Sequence, residues 1–304
     1  MDKKEKTKAI KTERDEPIYG PWRLAWQRFR KNKVSLTGLV VFSLVVLGAI
    51  IVPMVMPYTV TDINMANVGQ PPSAEHWLGT DRNGRDVLFR LFLGGRASLQ
   101  IGVSTALIAV LIGSTIGGVS GYFGGKIDLL MQRFVEVMQS LPFLPIVIAI
   151  GAIMIWAPAE QRIFVTSLII GCLSWMGLAR LVRGQVLSLR EQEFMQATEA
   201  LGLTDFRKIF RHLIPNVTSV IIVNGTIVMA AAILTEAALS FLGLGVVPPT
   251  PTWGNLMGHA QESYIFRNLP WVWIPAGVLC TITVLSINLL GEGLRDAFDP
   301  RNVK

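Results

Sequence analysis

The residue types that most often carry enzyme chemistry are few in this 304-residue sequence, and they lie far apart. Its histidines are His76, His212 and His259, and no two of them have the spacing of a zinc site. No G-x-S-x-G nucleophile motif occurs. The segment GYFGGKI at 121–127 suggests a phosphate-binding loop, but Ser120 takes the place of its first glycine and Ile127 that of its final Ser or Thr. We therefore predict no catalytic residue, no metal site, no cofactor and no ATP binding by this chain alone. The glycines should instead form a tight turn.

The composition indicates a membrane protein. Apolar residues make up 51% of the chain and charged residues 16%, with a mean hydropathy of +0.47; soluble domains have about 25% charged residues. The apolar residues are concentrated in runs long enough to cross a bilayer. We predict an all-α polytopic membrane protein with six transmembrane helices, at 36–56, 98–120, 134–156, 163–180, 218–240 and 271–291.

The distribution of positive charge predicts the orientation of these spans. Of the 28 Lys and Arg residues, 11 lie in residues 1–35. With the N-terminus inside, the inner segments hold 22 of them and the outer segments 6, so the positive-inside rule predicts that both termini are cytoplasmic. No basic stripe interleaved with aromatic residues occurs, so the net charge of +7 indicates contact with membrane lipid and not with nucleic acid.

The end of the basic N-terminal segment has the pattern of an interfacial helix. Trp22, Trp26 and Phe29 share one helical face, and arginines flank them. A helix lying on anionic lipid is one interpretation. A disordered basic leader is the alternative.

The inner loop at 181–217 is too long for a simple connector and too polar to enter the membrane. We predict a first helix at 191–201, followed by Gly202 in a left-handed C-cap. Thr204 can cap a second helix, which Pro215 should end. The loop would then form a helix–Gly–helix elbow on the cytoplasmic side.

One face of the first predicted helix is apolar and small. It carries Phe194, Ala197, Thr198 and Leu201, whereas Glu199 lies largely off it. Small residues allow the close approach of a soluble partner with a matching groove. The alternative is an amphipathic helix that lies on the bilayer.

The same segment resembles the EAA loop of ABC-importer permeases, whose pattern is EAA-x3-G-x9-I-x-L-P. The chain matches it with the triplet QAT at 196–198, then Gly202 and finally HLIP at 212–215. Gln196, Thr198 and His212 depart from the pattern. Because Gln196 removes an acidic residue from the start of the helix, no salt bridge is expected there.

Three further stretches resemble the C-type subunits of oligopeptide, dipeptide and nickel permeases: HWLGTDRNGRDVLFRLFLGGRASL at 76–99, EAALSFLGLGVVPPTPTWGNLM at 236–257 and GEGLRDAFDPR at 291–301. The resemblance extends over about 20–301 and implies the type I ABC-importer permease fold in a bacterial or archaeal cell membrane. It also implies four partners: a homologous second permease subunit, two cytoplasmic ATPase subunits and an extracytoplasmic solute-binding protein. The residues that it implies for ATPase coupling are Phe194, Gln196, Ala197, Thr198, Glu199, Leu201, Gly202, His212 and Pro215.

These features predict four parts of the chain. They are a basic tail with an interfacial helix at 1–35, the first span and outer loop at 36–97, a five-helix permease core at 98–292 that contains the coupling loop, and a cytoplasmic tail at 293–304. The outer residues 76–86 would either face the solute-binding protein or simply form turns.

Polar residues within the spans are candidates for the translocation pathway. Glu236 lies near the outer end of the fifth span, where a carboxylate is costly unless it is hydrated or paired; an interfacial position in water is the alternative. Asn224 and Asn288 would either line the pathway or bond neighbouring helices together.

The resulting prediction is a permease subunit of an ATP-driven importer, with short peptides as substrate. Nickel or glutathione remains an alternative substrate within the same family. An ion-coupled secondary transporter is a rival class, against which the near absence of charge in the middle of the spans argues. A membrane scaffold that only recruits a cytosolic partner is a second rival.

Overall fold

A computed structural model describes residues 21–153, 158–246 and 248–298, and in this part of the chain the regular structure is helical. The first helices are α1 (Pro21–Lys31), α2 (Lys33–Val55), α3 (Val87–Phe123), α4 (Gly125–Ser140), α5 (Phe143–Ile153), α6 (Ala159–Cys172) and α7 (Met176–Leu189). They are followed by α8 (Glu193–Ala200), α9 (Asp205–Arg207), a π-helical turn (Lys208–Leu213), α10 (Ile214–Asn216), α11 (Thr218–Phe241), α12 (Trp253–Gly258), α13 (Ser263–Asn268) and α14 (Pro270–Phe298). The all-α prediction is confirmed. Residues 1–20 of the predicted N-terminal part (1–35) and 299–304 of the predicted C-terminal tail (293–304) lie outside the described residues.

Within the described residues, four helices are each long and apolar enough to cross a membrane: α2, α3, α11 and α14. Two helix pairs pass the same test together: α4 with α5, bent by 71°, and α6 with α7, bent by 46°. Six crossings result if each bent pair is one span, so the predicted count rests on that condition. The orientation of the termini stays a prediction from charge.

The two bends have different local causes. At the first, Leu141 is extended and Pro142 has no N–H to continue the helix. This break falls within the predicted span at 134–156, and the helix before it begins at Gly125 and not at 134. The second bend contains no proline. There the Ser174 hydroxyl donates to the Ile170 carbonyl at 2.6 Å, and such side-chain bonds compete with the helical ladder. The region predicted as one span at 163–180 therefore contains this bend.

Helix α3 lies at the centre of the molecule, and α2, α6, α7 and α11 pack around it. A seam of glycines spaced by four residues lets α7 approach its backbone. A Cβ on Gly113 would lie 2.9 Å from the Trp175 carbonyl oxygen, and one on Gly121 would lie 2.8 Å from that of Arg183. Both distances are too short for a side chain, so this packing requires glycine.

The predicted division points of the chain fall inside continuous helices. The boundary at 35/36 lies in α2, that at 97/98 in α3, and that at 292/293 in α14. The helices extend beyond the apolar runs, and their ends contain polar residues. Two consecutive glycines with positive φ, Gly124 at 63° and Gly125 at 53°, form the tight turn predicted between α3 and α4.

The loop between α2 and α3 has a specific internal structure. The His76 ring bridges the Asp86 carboxylate, at 2.8 Å from Nδ1, and the Asn67 amide, at 3.2 Å from Nε2. Gly84 has a φ of 70° and lies against the Asn64 backbone. These contacts are those of linked turns. A contact of this loop with a solute-binding protein stays a prediction.

A helix, α1, forms where the interfacial helix was predicted, and part of its apolar face packs on the protein; its contact with the bilayer stays a prediction. Ala25 and Phe29 are buried against Ala297 of α14, and Trp26 remains 54% exposed. The side chain of Trp22 lies outside what the structure describes. Helix α1 is therefore partly docked on the protein.

Candidate functional site

The coupling loop predicted from the sequence folds as two short helical limbs, α8 and the run from α9 to α10, which we call the elbow (193–216). Between them Gly202 has a φ of 67°, as predicted. The Gly202 N–H donates to the Glu199 carbonyl at 2.9 Å, and the Leu203 N–H donates to the Thr198 carbonyl at 3.2 Å. This pair of bonds is a Schellman motif, which ends α8 and fixes the direction of the chain that leaves it.

The inward face of α8 is centred on Met195 and Thr198, which are both buried. Met195 packs in a cluster with Val182 and Val186 of α7 and Leu213 of the second limb. The four residues of the predicted apolar face therefore differ in burial. Phe194 and Thr198 lie towards the molecule, whereas Ala197 and Leu201 are exposed.

The buried face of α8 differs from the predicted face by a rotation about the helix axis. In an α-helix each residue is turned by about 100° from the one before it. The direction midway between Met195 and Thr198, on which the buried face is centred, is therefore turned by about 70° from the direction of Phe194. Met195, which was absent from the predicted face, is the buried apolar residue of α8.

The second limb differs from the prediction in two ways. The Thr204 side chain makes no capping hydrogen bond, although its carbonyl accepts from the Lys208 N–H at 3.0 Å. Pro215 does not end the limb at its own position. It follows the π-helical turn Lys208–Leu213 and lies in the first turn of α10. There a residue without an N–H leaves no helical bond unmade. His212 is half-buried, and Pro215 is exposed.

Polar contacts join the elbow to the end of α3. The Tyr122 hydroxyl donates to the Asp205 carboxylate at 2.6 Å, and the Arg190 guanidinium donates to the Tyr122 carbonyl at 3.2 Å. The contact with Tyr122 and the nearby carboxylates raise the pKa of the Lys208 ammonium, which lies 3.8 Å from Asp205 and stays charged at neutral pH. The start of the second limb is thus held to the centre of the molecule.

A second ion pair fixes the helices behind the elbow. The Arg183 guanidinium donates twice to the Asp128 carboxylate, from Nε and Nη2 at 2.5 Å each, and Ser120 donates to the same carboxylate at 2.5 Å. The contact joins α7, α4 and α3. Sequence reasoning missed it because residues far apart in the chain form it and no local motif marks them.

The outward side of the elbow carries an apolar tip. Leu201 is 77% exposed and Phe206 is 70% exposed, and the Phe206 ring lies 4.8 Å from that of Phe210, centroid to centroid. Ala197, Gln196 and Glu199 are exposed on the same limb as Leu201. Large apolar side chains held in this way on a folded protrusion are typical of a protein-binding surface.

The three pathway candidates have different environments. Glu236 has no exposed surface, and its carboxyl group accepts from the Ser98 hydroxyl at 3.0 Å and the Ser240 hydroxyl at 2.7 Å. It is neither in water nor on an open surface in this conformation; it links α11 to α3. The half-buried Asn224 donates to the Val220 carbonyl of its own helix at 2.9 Å. Asn288 is exposed on α14.

The described residues contain no group of three or more His, Cys, Asp or Glu side chains that could hold a metal ion. The chain thus combines membrane-spanning helices, a central glycine seam and a braced elbow with an apolar tip. This combination is typical of a multi-pass membrane protein.

The chain belongs to the family of binding-protein-dependent transport system inner membrane components, whose family model matches residues 109–304. A model of the N-terminal transmembrane domain of oligopeptide transport permease C matches residues 20–72. The membership confirms the type I permease fold.

Relatives match along nearly the whole chain. The oligopeptide transport system permease protein OppC of Bacillus subtilis is 38% identical over 281 residues, covering 92% of this chain and 90% of the relative. The dipeptide transport system permease protein DppC of Alkalihalophilus pseudofirmus is 39% identical over the same length, with the same coverage. The oligopeptide transport system permease protein OppC of Haemophilus influenzae is 40% identical over 286 residues, covering 92% and 89%.

Proposed function

We propose that this chain is the permease subunit of an ATP-driven importer of short peptides and that its elbow couples the spans to ATPase subunits. The support for peptides comes from relatives that are named as oligopeptide and dipeptide permeases. Under this proposal the chain forms half of the pathway, a homologous permease forms the other half, and a solute-binding protein delivers the peptide from outside.

The observation that carries the coupling proposal is the exposed apolar tip of Leu201 and Phe206 on a braced elbow. An ATPase groove that covers this tip would remove two large apolar side chains from water, which favours association. Ala197, with its small side chain, lets the backbone of α8 come close to the partner. The exposed Gln196 and Glu199 would lie at the rim of the contact.

The contacts between the elbow and the rest of the protein determine which helices would move if an ATPase displaced the tip. Movement of the second limb would pull on Tyr122 through Asp205, and therefore on the end of α3. Movement of α8 would act on α7 through the buried Met195. Because α3 and α7 are packed along the glycine seam, they would move together as one body. ATP-driven closure of the two ATPases would in this way switch the cavity between its inward- and outward-facing states.

The fully buried Glu236 is the feature that a proton-coupled transporter would need, yet its environment favours a structural role. Hydroxyl groups of α3 and α11 hold its oxygens, and the side chain lies against no opening. Its hydrogen bonds would keep the outer ends of the two helices together while the inner ends respond to the elbow.

Uptake by reconstituted vesicles tests the proposal. The chain is reconstituted with its partner permease and ATPases, the solute-binding protein is added with a labelled tripeptide, and uptake is followed with ATP inside or outside the vesicles. We expect accumulation only when ATP is on the side of the elbow. Accumulation driven by an ion gradient without ATP would contradict the proposal, and transport of nickel or glutathione in place of peptide would leave coupling intact but overturn the substrate.

A further inference from the structure

Helix α12 is a short helix that is inserted between longer helices on the predicted outer side of the protein. It packs against α3, α11 and α14, and its Trp253 and Leu256 are buried in one apolar cluster with residues of those helices and of α2. A Cβ on Gly254 would lie 2.6 Å from the Ala237 carbonyl oxygen, so α12 meets the backbone of α11 directly. The outer ends of these helices therefore cannot move apart without changing their contacts with α12.

Two chains of hydrogen bonds connect the Glu236 carboxylate to the segment that leads into α12. In the first, the Trp253 N–H donates to the Ser98 hydroxyl oxygen at 3.2 Å, and that hydroxyl donates to Glu236 Oε2 at 3.0 Å. In the second, the Val246 N–H donates to the Ser240 hydroxyl oxygen at 3.2 Å, and that hydroxyl donates to Glu236 Oε1 at 2.7 Å. One carboxylate therefore orients both hydroxyls, and each hydroxyl holds a backbone N–H at one end of the segment.

Further hydrogen bonds make this segment and α12 one folded unit. The Asn255 side-chain amide donates to the Thr250 carbonyl at 2.9 Å and to the Val246 carbonyl at 3.3 Å. The indole N–H of Trp253 donates to the Leu91 carbonyl of α3 at 3.1 Å. The bonds through the two serines therefore attach a whole folded unit, and not a single residue, to α3 and α11.

The burial of Glu236 is not explained by stability alone. Its side chain has no exposed surface, and none of the ion pairs within the described part of the chain includes it. Taking a carboxylate out of water costs free energy, and well-packed apolar residues of similar volume are often at least as stabilising as buried charged groups. The two hydrogen-bond chains indicate that the carboxylate serves to fix the position of α12.

We propose that Glu236 is a positioning residue for transport, which keeps α12 inserted between α3 and α11 and thereby opposes the separation of their outer ends. The inference rests on the proposed function, because a peptide delivered from outside enters only when those ends separate. Glu236 acts through Ser98 and Ser240 and not by contact with the peptide. The strength of these bonds sets how readily the transporter opens to the outside before the solute-binding protein arrives.

Glu236→Gln tests the inference in the complete transporter, reconstituted with its partner permease and ATPases. Gln has nearly the same shape but offers one acceptor oxygen in place of two, so one serine hydroxyl loses its acceptor. A hydrogen bond to a charged group shifts an equilibrium by about ten-fold or more, so we expect ATP hydrolysis without the solute-binding protein to rise by about ten-fold. Peptide uptake per ATP should fall. Ser98→Ala interrupts the first chain of bonds and should act in the same direction.

Ser286→Ala is the matched control, because the buried Ser286 hydroxyl donates within its own helix α14, to the Thr283 carbonyl at 2.7 Å. It should leave hydrolysis and uptake unchanged. Glu236→Gln combined with Ser98→Ala should raise hydrolysis by less than the product of the two single effects, since both changes weaken one network.

A purely structural role would lower the melting temperatures of Glu236→Gln and Ser98→Ala and leave hydrolysis per folded transporter at the wild-type level. That result would overturn the inference, and Ser98→Ala alone decides if Glu236→Gln does not fold. ATP-driven uptake by the wild-type transporter tests the proposed function separately. Wild-type hydrolysis rates in the variants, alongside such uptake, would therefore contradict only the role of Glu236.

Discussion

Gly202 sets the angle between the two limbs of the elbow, and the structure separates two reasons for a glycine there. No atom lies within 4 Å of the position that its Cβ would take, so space is available for a side chain. Its φ of 67° is the remaining constraint, and L-amino acids adopt this conformation only at a cost of about 1 kcal/mol or more. The residue is thus needed for its backbone conformation and not for its small size.

Gly202→Val should leave expression and membrane insertion nearly normal, because the elbow lies outside the spans. It should weaken ATPase association or uncouple ATP hydrolysis from uptake, since relief of the strained φ would turn α8. Gly184→Ala is the control, because Gly184 also faces open space but lies within α7 with no positive φ. Equal ATPase recovery and equal uptake with both variants would show that the conformation of Gly202 does not matter for coupling.

The sequence allowed Gly202 to be predicted because a glycine between two amphipathic stretches most often ends the first of them in a left-handed conformation. It did not reveal Met195 as the inward anchor, because the choice between two neighbouring faces of α8 depends on what α7 offers. The role of Asp128 was hidden for the same reason, because its partner Arg183 is distant in the chain.

The Asp128–Arg183 pair should contribute measurably to stability. The side chains are 14% and 31% exposed, and hydrogen bonds to charged groups of this kind contribute about 1.5–3 kcal/mol. Asp128→Asn should therefore lower the thermal stability of the purified chain clearly. Arg133→Gln breaks the pair with Glu136, whose side chains are 70% and 52% exposed, and should cost no more than about 1 kcal/mol. Similar melting temperatures for the two variants would contradict this account.

At the scale of helices, the packing of α3 on α7 depends on the glycine seam. Gly117 lies between Gly113 and Gly121 in the seam, and a Cβ there would come even closer to α7, against the Ala179 carbonyl oxygen. The four-residue spacing is visible in the sequence. Its partner helix is not, because several apolar helices could have filled the same seam.

Gly117→Ala should therefore destabilise the chain although alanine favours helices. Overpacking of this kind costs about 1–3 kcal/mol, which should appear as a lower melting temperature in detergent and a faster loss of monodisperse protein on heating. Gly177→Ala places the same methyl group at a position with no neighbour within 4 Å and should be neutral or slightly stabilising. A neutral Gly117→Ala would mean that α3 and α7 are not in close backbone contact.

The two bends show where sequence reasoning about elements succeeds. Proline makes the break near 141–142 predictable, since the missing N–H is a property of the residue itself. The break at 173–175 has no such marker, and the hydrogen bond of the Ser174 hydroxyl to the Ile170 carbonyl that lies there is not visible in the hydrophobic pattern. Periodicity alone predicts a straight helix there.

For the whole molecule, the asymmetry of Lys and Arg predicts which face carries the elbow. Single cysteines at Ser73 and Glu191 should react on opposite sides of the membrane in a background without Cys172 and Cys280. Both positions are exposed, so access should depend only on side. An impermeant maleimide should label position 73 from outside and position 191 only after permeabilisation. Labelling of both from one side would overturn the arrangement with both termini inside.

The central claim is that the elbow tip binds the ATPase subunits, and the amount of ATPase that co-purifies with the chain measures it most directly. Leu201→Asp places a charge on the 77% exposed tip, and Leu242→Asp places the same charge on a 60% exposed leucine at the far end of α11, on the predicted outer side. Central interface residues typically contribute about 2 kcal/mol or more, so Leu201→Asp should reduce ATPase recovery per permease at least about ten-fold, while Leu242→Asp should leave it unchanged. Equal recovery of the ATPases with the two variants would contradict the account.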